Sequence, residues 1–137
     1  MSIEIPWEAS ASRRPSAVRT PRAVGRLDAT VAKAEREWQR LCGIYLPIRP
    51  RGSIWRVSRR RNRNDPSQGW KLHVSATILS ACSIFRLVAP YLKQRNALFK
   101  ATKSLAELKK LNTGIFYGFS QVGKFITVYP ASYVRIC

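Results

Sequence analysis

The sequence predicts an α+β fold, a small sheet with flanking helices. Three observations predict it. The stretch Gly69-Trp70-Lys71-Leu72-His73-Val74-Ser75 alternates apolar and polar residues with period two, as a half-buried strand does. Two segments, 27–42 and 78–95, instead repeat apolar residues at spacings of three and four, the mark of an amphipathic helix. From residue 69 onward the pattern runs strand, helix, strand, short helix, strand, which suits a small sheet backed by helices.

A chain of 137 residues supports one domain with a modest core, and 45% hydrophobic residues suffice to build it. Residues 1–25 carry Ser, Ala, Arg and three prolines with no apolar period, and read as a basic disordered arm. Residues 26–137 then form the single domain. Asp28 stands where an N-cap would precede Val31, Ala34, Trp38 and Leu41, and Pro47 and Pro50 end that helical unit. Ile54–Ser58 reads as a short strand. The arginine-rich run from Arg59 to Arg63 reads as a loop closed by an Asn64-Asp65-Pro66 turn, either a phosphate clamp or a solvated surface.

Trp70, Leu72, Val74 and Ala76 fall on the buried face of the next strand, with Lys71, His73 and Ser75 on the other. By pattern alone this is also how an edge strand with a solvated lysine looks. The helix after it carries Ile78, Cys82, Phe85, Ala89 and Leu92, and Pro90 inside it predicts a kink or an early stop. Leu98–Thr102 reads as a strand. Ser104 caps a short helix over Leu105, Leu108 and Leu111, which Asn112 and Gly114 end. Phe125–Tyr129 is the last strand, stopped by Pro130.

Charge and cysteine usage narrow the function. There are 25 Lys and Arg against seven Asp and Glu, a formal net charge of +18, and fifteen of the cations precede Lys71. Such a surface favours polyanions: nucleic acid, acidic peptide or a phosphorylated substrate. Three widely spaced cysteines, Cys42, Cys82 and Cys137, suit reduced thiols and a cytoplasmic protein. No CxxC pair or His/Cys cluster is present, so no metal and no cofactor is expected. No apolar run approaches the ~18 residues of a membrane span, and no Gly-rich nucleotide loop precedes a helix.

Strand alternation brings Lys71 and His73, then Lys100, then Thr127 and Tyr129 to one side of the sheet. Lysines, a histidine and a tyrosine without a carboxylate fit a doubly charged phosphate group better than a hydrolase triad or a carboxylate pair. The blocks Gly69-Trp70-Lys71-Leu72-His73-Val74-Ser75-Ala76, Val88-Ala89-Pro90-Tyr91, Leu98-Phe99-Lys100 and Gly123-Lys124-Phe125-Ile126-Thr127-Val128-Tyr129-Pro130 resemble the N-terminal lyase domain of class III lanthipeptide synthetases. Those domains are similar in turn to the bacterial effector phosphothreonine lyases. The resemblance implies elimination of phosphate from phosphoserine or phosphothreonine. It casts Lys100 as base, His73 as acid, Lys71 as phosphate and enolate stabiliser, and Tyr129 and Lys124 as phosphate contacts. The parity of Lys124 is opposite to that of Tyr129, so a bend or bulge is required.

The resemblance also implies partners, a phosphorylated precursor peptide and a kinase or cyclase protein, while the excess charge predicts that nucleic acid is bound only non-specifically. This chain departs from the family pattern in two places. The loop before Lys124, where a phosphate-gripping arginine belongs, reads Tyr117-Gly118-Phe119-Ser120-Gln121-Val122. A second arginine belongs beyond Pro130, and the sequence ends at Cys137. These departures predict a lyase-like core lacking its C-terminal part, with weak activity, an uncovered sheet that favours a homodimer, or a role in binding a phosphorylated or acidic peptide. A basic nucleic-acid-binding protein is the third reading.

Overall fold

The computed structural model describes residues 2–3, 21–66 and 69–130. Strands β1 (Ser2–Ile3), β2 (Trp55–Val57), β3 (Leu72–Val74), β4 (Leu98–Thr102) and β5 (Ile126–Tyr129) form one sheet in the order β1-β3-β5-β4-β2. The four strands β3, β5, β4 and β2 run antiparallel to their neighbours, and β1 lies parallel to β3. Helices α1 (Pro21–Tyr45), α2 (Ala81–Gln94) and α3 (Leu105–Thr113) complete an α+β architecture.

The register explains the core. Residues directly opposite on paired strands point to the same face. Val74, Ile126 and Ala101 make one such row, and Leu72, Val128 and Phe99 make the next. On that face they meet Trp38 and Leu41 from α1, Phe85 and Ala89 from α2, and Leu105, Leu108 and Leu111 from α3. Trp38 is the hub. Its ring lies 4.8 Å from Phe85, edge-on, and 5.1 Å from Phe125. Its indole Nε1 donates to the Thr102 carbonyl at 3.0 Å, which fastens α1 to the end of β4. A buried indole needs such a partner.

The short helix is held at both ends by local chemistry. Ser104 Oγ accepts from the Glu107 N–H at 3.1 Å, as an N-cap should. Gly114 ends the helix with φ 74°, and a Cβ there would meet the Phe119 ring at 2.5 Å, so only glycine closes this turn.

Several expectations need correction. The first helix begins at Pro21, and Asp28 lies within it rather than capping it. Two residues of the stretch read as a disordered arm, Ser2 and Ile3, pair with β3, and 21–25 are helical; residues 4–20 lie outside the described residues. Burial of Trp38, Leu41 and Cys42 anchors the C-terminal half of this helix to the core. The second helix starts at Ala81 and continues through Pro90 to Gln94. The buried face of Phe85, Ala89 and Leu92 outweighs the one lost hydrogen bond. The strand read over 69–75 is regular only over Leu72–Val74. Trp70, placed by parity in the core, is 73% exposed, because alternation predicts burial only where the chain stays in the sheet.

Candidate active site on the open face of the sheet

The sheet face opposite the helices carries the polar residues. His73, Thr127, Lys100 and Val57 stand in one row across β3, β5, β4 and β2. With neighbouring strands about 4.8 Å apart, His73 and Lys100 sit two strands, or roughly 10 Å, from each other at the backbone. Tyr129 lies one step along β5 on the same face, opposite Leu98. Lys71 lies just before β3. Its Nζ is 5.7 Å from the centre of the Tyr129 ring, and the Nζ of Lys100 is 5.8 Å from the same ring. The two ammonium groups therefore share one aromatic ring. Lys100 also stands over the Trp55 ring at 4.4 Å, a cation–π contact that holds its chain extended across the face.

His73 is oriented by the strand beside it. Its Nδ1 is 3.2 Å from Thr127 Oγ1, within a hydrogen bond, which leaves Nε2 as the ring nitrogen free for a ligand. Burial pushes its pKa below the usual histidine value, and the cations Lys124, Lys71 and Lys100 push in the same direction. In the free protein the ring is neutral near pH 7. Because the folded value is depressed, His73 adds stability above pH ~6.5 that is lost as pH falls through that window.

Lys124 reaches this neighbourhood through a turn rather than through strand parity. It lies before β5, after Gly123, whose φ is 81°. Ser75 Oγ donates to the Gly123 carbonyl at 2.6 Å, so the turn is tied to the end of β3. A Cβ at Gly123 would stand 3.0 Å from that Ser75 oxygen. The charge of Lys124 is close enough to His73 to push the ring's pKa down.

Around Lys71, Lys100 and Tyr129 lies a pocket of about 390 Å³, walled also by Val57, Leu98, Trp70, Arg59 and Arg61. Of the last three, Trp70 is the one that parity placed in the core, while Arg59 and Arg61 belong to the run read as a phosphate clamp or a solvated surface. The arginine-rich loop folds back beside the sheet because Asp65 anchors it. Arg59 donates to both Asp65 oxygens at 2.7 Å, and the Asn62 N–H donates to the same carboxylate at 2.8 Å. The guanidinium holds the Asp65 carboxyl well below the usual range, at about 2. Arg61 donates to the Pro66 carbonyl. So of the run read as clamp or solvated surface, Arg59 is a structural partner of Asp65, and Arg61 borders the pocket. Asp65 stabilises the fold above pH ~4, and this contribution is lost as pH falls toward 2. Asp65→Asn is expected to cost about 1–3 kcal/mol near neutral pH. Acid denaturation followed by tryptophan fluorescence checks it: the variant should start less stable and lose less stability between pH 4 and 2.

Among the described residues no group of three or more His, Cys, Asp or Glu could hold a metal ion, and no helix is long and apolar enough to cross a membrane. Cys42 and Cys82 are free thiols; burial raises Cys42 to about 12, which makes it inert. Cys137 lies outside the described residues.

The sheet and helices define an α+β domain with Lys71, His73, Lys100 and Tyr129 gathered on one side of the sheet, and comparison with known proteins says which family it belongs to. The family model described as the RamC N-terminal domain matches residues 48–136, more than half of the chain. The chain belongs to that family, in agreement with its resemblance to the N-terminal domain of class III lanthipeptide synthetases. It is also 32% identical over 117 residues to the probable SapB synthase of Streptomyces coelicolor, across 85% of this chain. The chain spans 11% of that relative's length.

Proposed function

We propose that this chain is a phosphoserine/phosphothreonine lyase domain acting in the maturation of a lanthipeptide-type peptide. The observation that carries the reading is the placement of His73 and Lys100 on one open face, two strands apart, with Lys71 and Tyr129 beside them. Lys100, as the neutral amine, takes the α-proton of the phosphorylated residue. The released electron pair forms the Cα=Cβ double bond as the Cβ–O bond breaks. Phosphate departs, and the His73 imidazolium gives its proton to the leaving oxygen. Lys71, Lys124 and the Tyr129 hydroxyl balance the charge of the phosphate and of the developing enolate. The product is dehydroalanine or dehydrobutyrine, and a kinase must supply the phosphorylated peptide.

The depressed pKa of His73 fits this sequence of events. A neutral ring must become the acid, and the two negative charges of a bound phosphate favour that change. The expected result is a His73 ring that titrates below 6.5 in the free protein and moves upward when phosphopeptide is added. NMR titration of the single histidine reads both values. An unchanged value at saturating phosphopeptide would remove His73 as the acid.

A second reading, a phosphopeptide-binding module without turnover, is favoured by one observation. Arg59, one of the two guanidinium groups lining the pocket, is taken by Asp65, and the loop before Lys124 has no arginine. Mass spectrometry of a phosphopeptide incubated with the chain separates the two. Loss of the elements of phosphoric acid supports the lyase; tight binding with an intact phosphate supports the module. Binding that ignores phosphorylation overturns both.

A further inference from the structure

Trp55, which contacts Lys100, also lines a second basic groove. It is lined by Arg49, Arg51 and Lys103, with Gln39, Ser53 and Trp55, and has a volume of about 470 Å³. Arg49, Arg51 and Lys103 are all exposed. Among the described residues no carboxylate lies within ion-pair distance of any of the three. No acid is among the lining residues, and Glu35, which lies 3.5 Å from the Gln39 amide, is engaged by the Leu105 N–H at 2.8 Å. The Gln39 amide also donates to the Lys103 carbonyl at 2.8 Å, which fixes the groove wall to α1.

The geometry relates this groove to Lys100. Lys103 directly follows β4, three residues beyond Lys100 (103 − 100 = 3), which is roughly 10 Å along an extended strand. Trp55 pairs with Thr102 and carries the Lys100 ammonium on its ring, so the two basic regions meet at one aromatic side chain. Lys103 lies in a bend past the end of β4, so the path from Lys100 to the groove runs over the Trp55 ring, a span of this order that about three extended residues would cover.

We propose that the Arg49–Arg51–Lys103 groove is a second anion subsite, which takes the carboxylate of an aspartate or glutamate about three residues from the phosphorylated residue of the same peptide. This rests on the reading of the Lys100 face as a phosphopeptide site and deepens it. The preferred substrate is then an acidic phosphopeptide. Guanidinium groups pair with carboxylates in a two-pronged fashion, and an acidic side chain here meets three cations that have no acid of their own.

The test is fluorescence-anisotropy binding of the full chain to labelled phosphoserine peptides. Each carries glutamate or glutamine three positions before or after the phosphoserine. An unphosphorylated control is included, with Arg49→Gln/Arg51→Gln and Lys103→Gln as variants. At least one glutamate peptide should bind about tenfold more tightly than its glutamine counterpart, and the variants should erase that difference while leaving affinity for the glutamine phosphopeptide within twofold. If phosphorylation raises affinity but glutamate adds nothing at either position, this inference falls and the site reading stands. The same holds if the glutamate preference survives in the variants. If phosphorylation has no effect on affinity, the reading of the Lys100 face falls, and this inference with it.

Discussion

Lys100→Ala is expected to slow phosphate elimination by about 10²–10⁴-fold, the usual cost of removing a positioned base. The substitution should lower kcat far more than it raises KM, because the proposed phosphate contacts, Lys71 and Lys124, are left in place. Lys71→Ala should show the opposite emphasis, weakening binding first. Lys100 is half-buried on a strand whose neighbours, Phe99 and Ala101, fill the core on the other face, so its removal leaves the packing intact. Single-turnover assays on a phosphopeptide, read by mass spectrometry, give the two constants. Full turnover by Lys100→Ala would mean that another amine, with Lys71 the nearest candidate across the Tyr129 ring, is the base.

The largest effect on stability is expected at Trp38. Its side chain is wholly buried, touches Phe85 and Phe125, and holds the Thr102 carbonyl. Trp38→Ala removes this packing and leaves a buried carbonyl unpaired, a cost of about 3–5 kcal/mol from the cavity alone. Against a total stability of roughly 5–15 kcal/mol, that takes much of the margin. A fall in Tm of roughly 10–20 °C in thermal melts is the expected outcome. Trp38→Phe should recover most of the packing but not the hydrogen bond, and so separate the two contributions. A melt unchanged in Trp38→Ala would show that α1 is not fastened to the sheet through this residue.

The sequence made the site legible wherever side chains obey local period. Lys71 and His73, and Thr127 and Tyr129, are paired by alternation, and Lys100 follows from the burial of Phe99. Capping at Ser104 and Gly114 was legible for the same reason, since those signals act within four residues. What was hidden depends on contacts distant in sequence. Nothing near Trp70 says that the strand begins only at Leu72. Nothing in the run of arginines says that Asp65 would claim Arg59, although an acid six residues away in so basic a stretch was the available signal. Trp55 enters the site only through its register against β4, which no single segment encodes.

The order of strands has a consequence in time. β5, the last strand among the described residues, sits in the middle of the sheet, between β3 and β4. Until residues 126–129 leave the ribosome, those two strands have no partner between them, and His73 and Lys100 have no common floor. The 27 residues from Thr102 to Tyr129 (129 − 102 = 27) take about 1–5 s to synthesise at 5–20 residues per second. For that interval the nascent domain carries two open strand edges and the apolar faces of Phe99 and Val74. Open edges and apolar surface of this kind are prone to mispairing, so this interval is when the domain is most exposed to it.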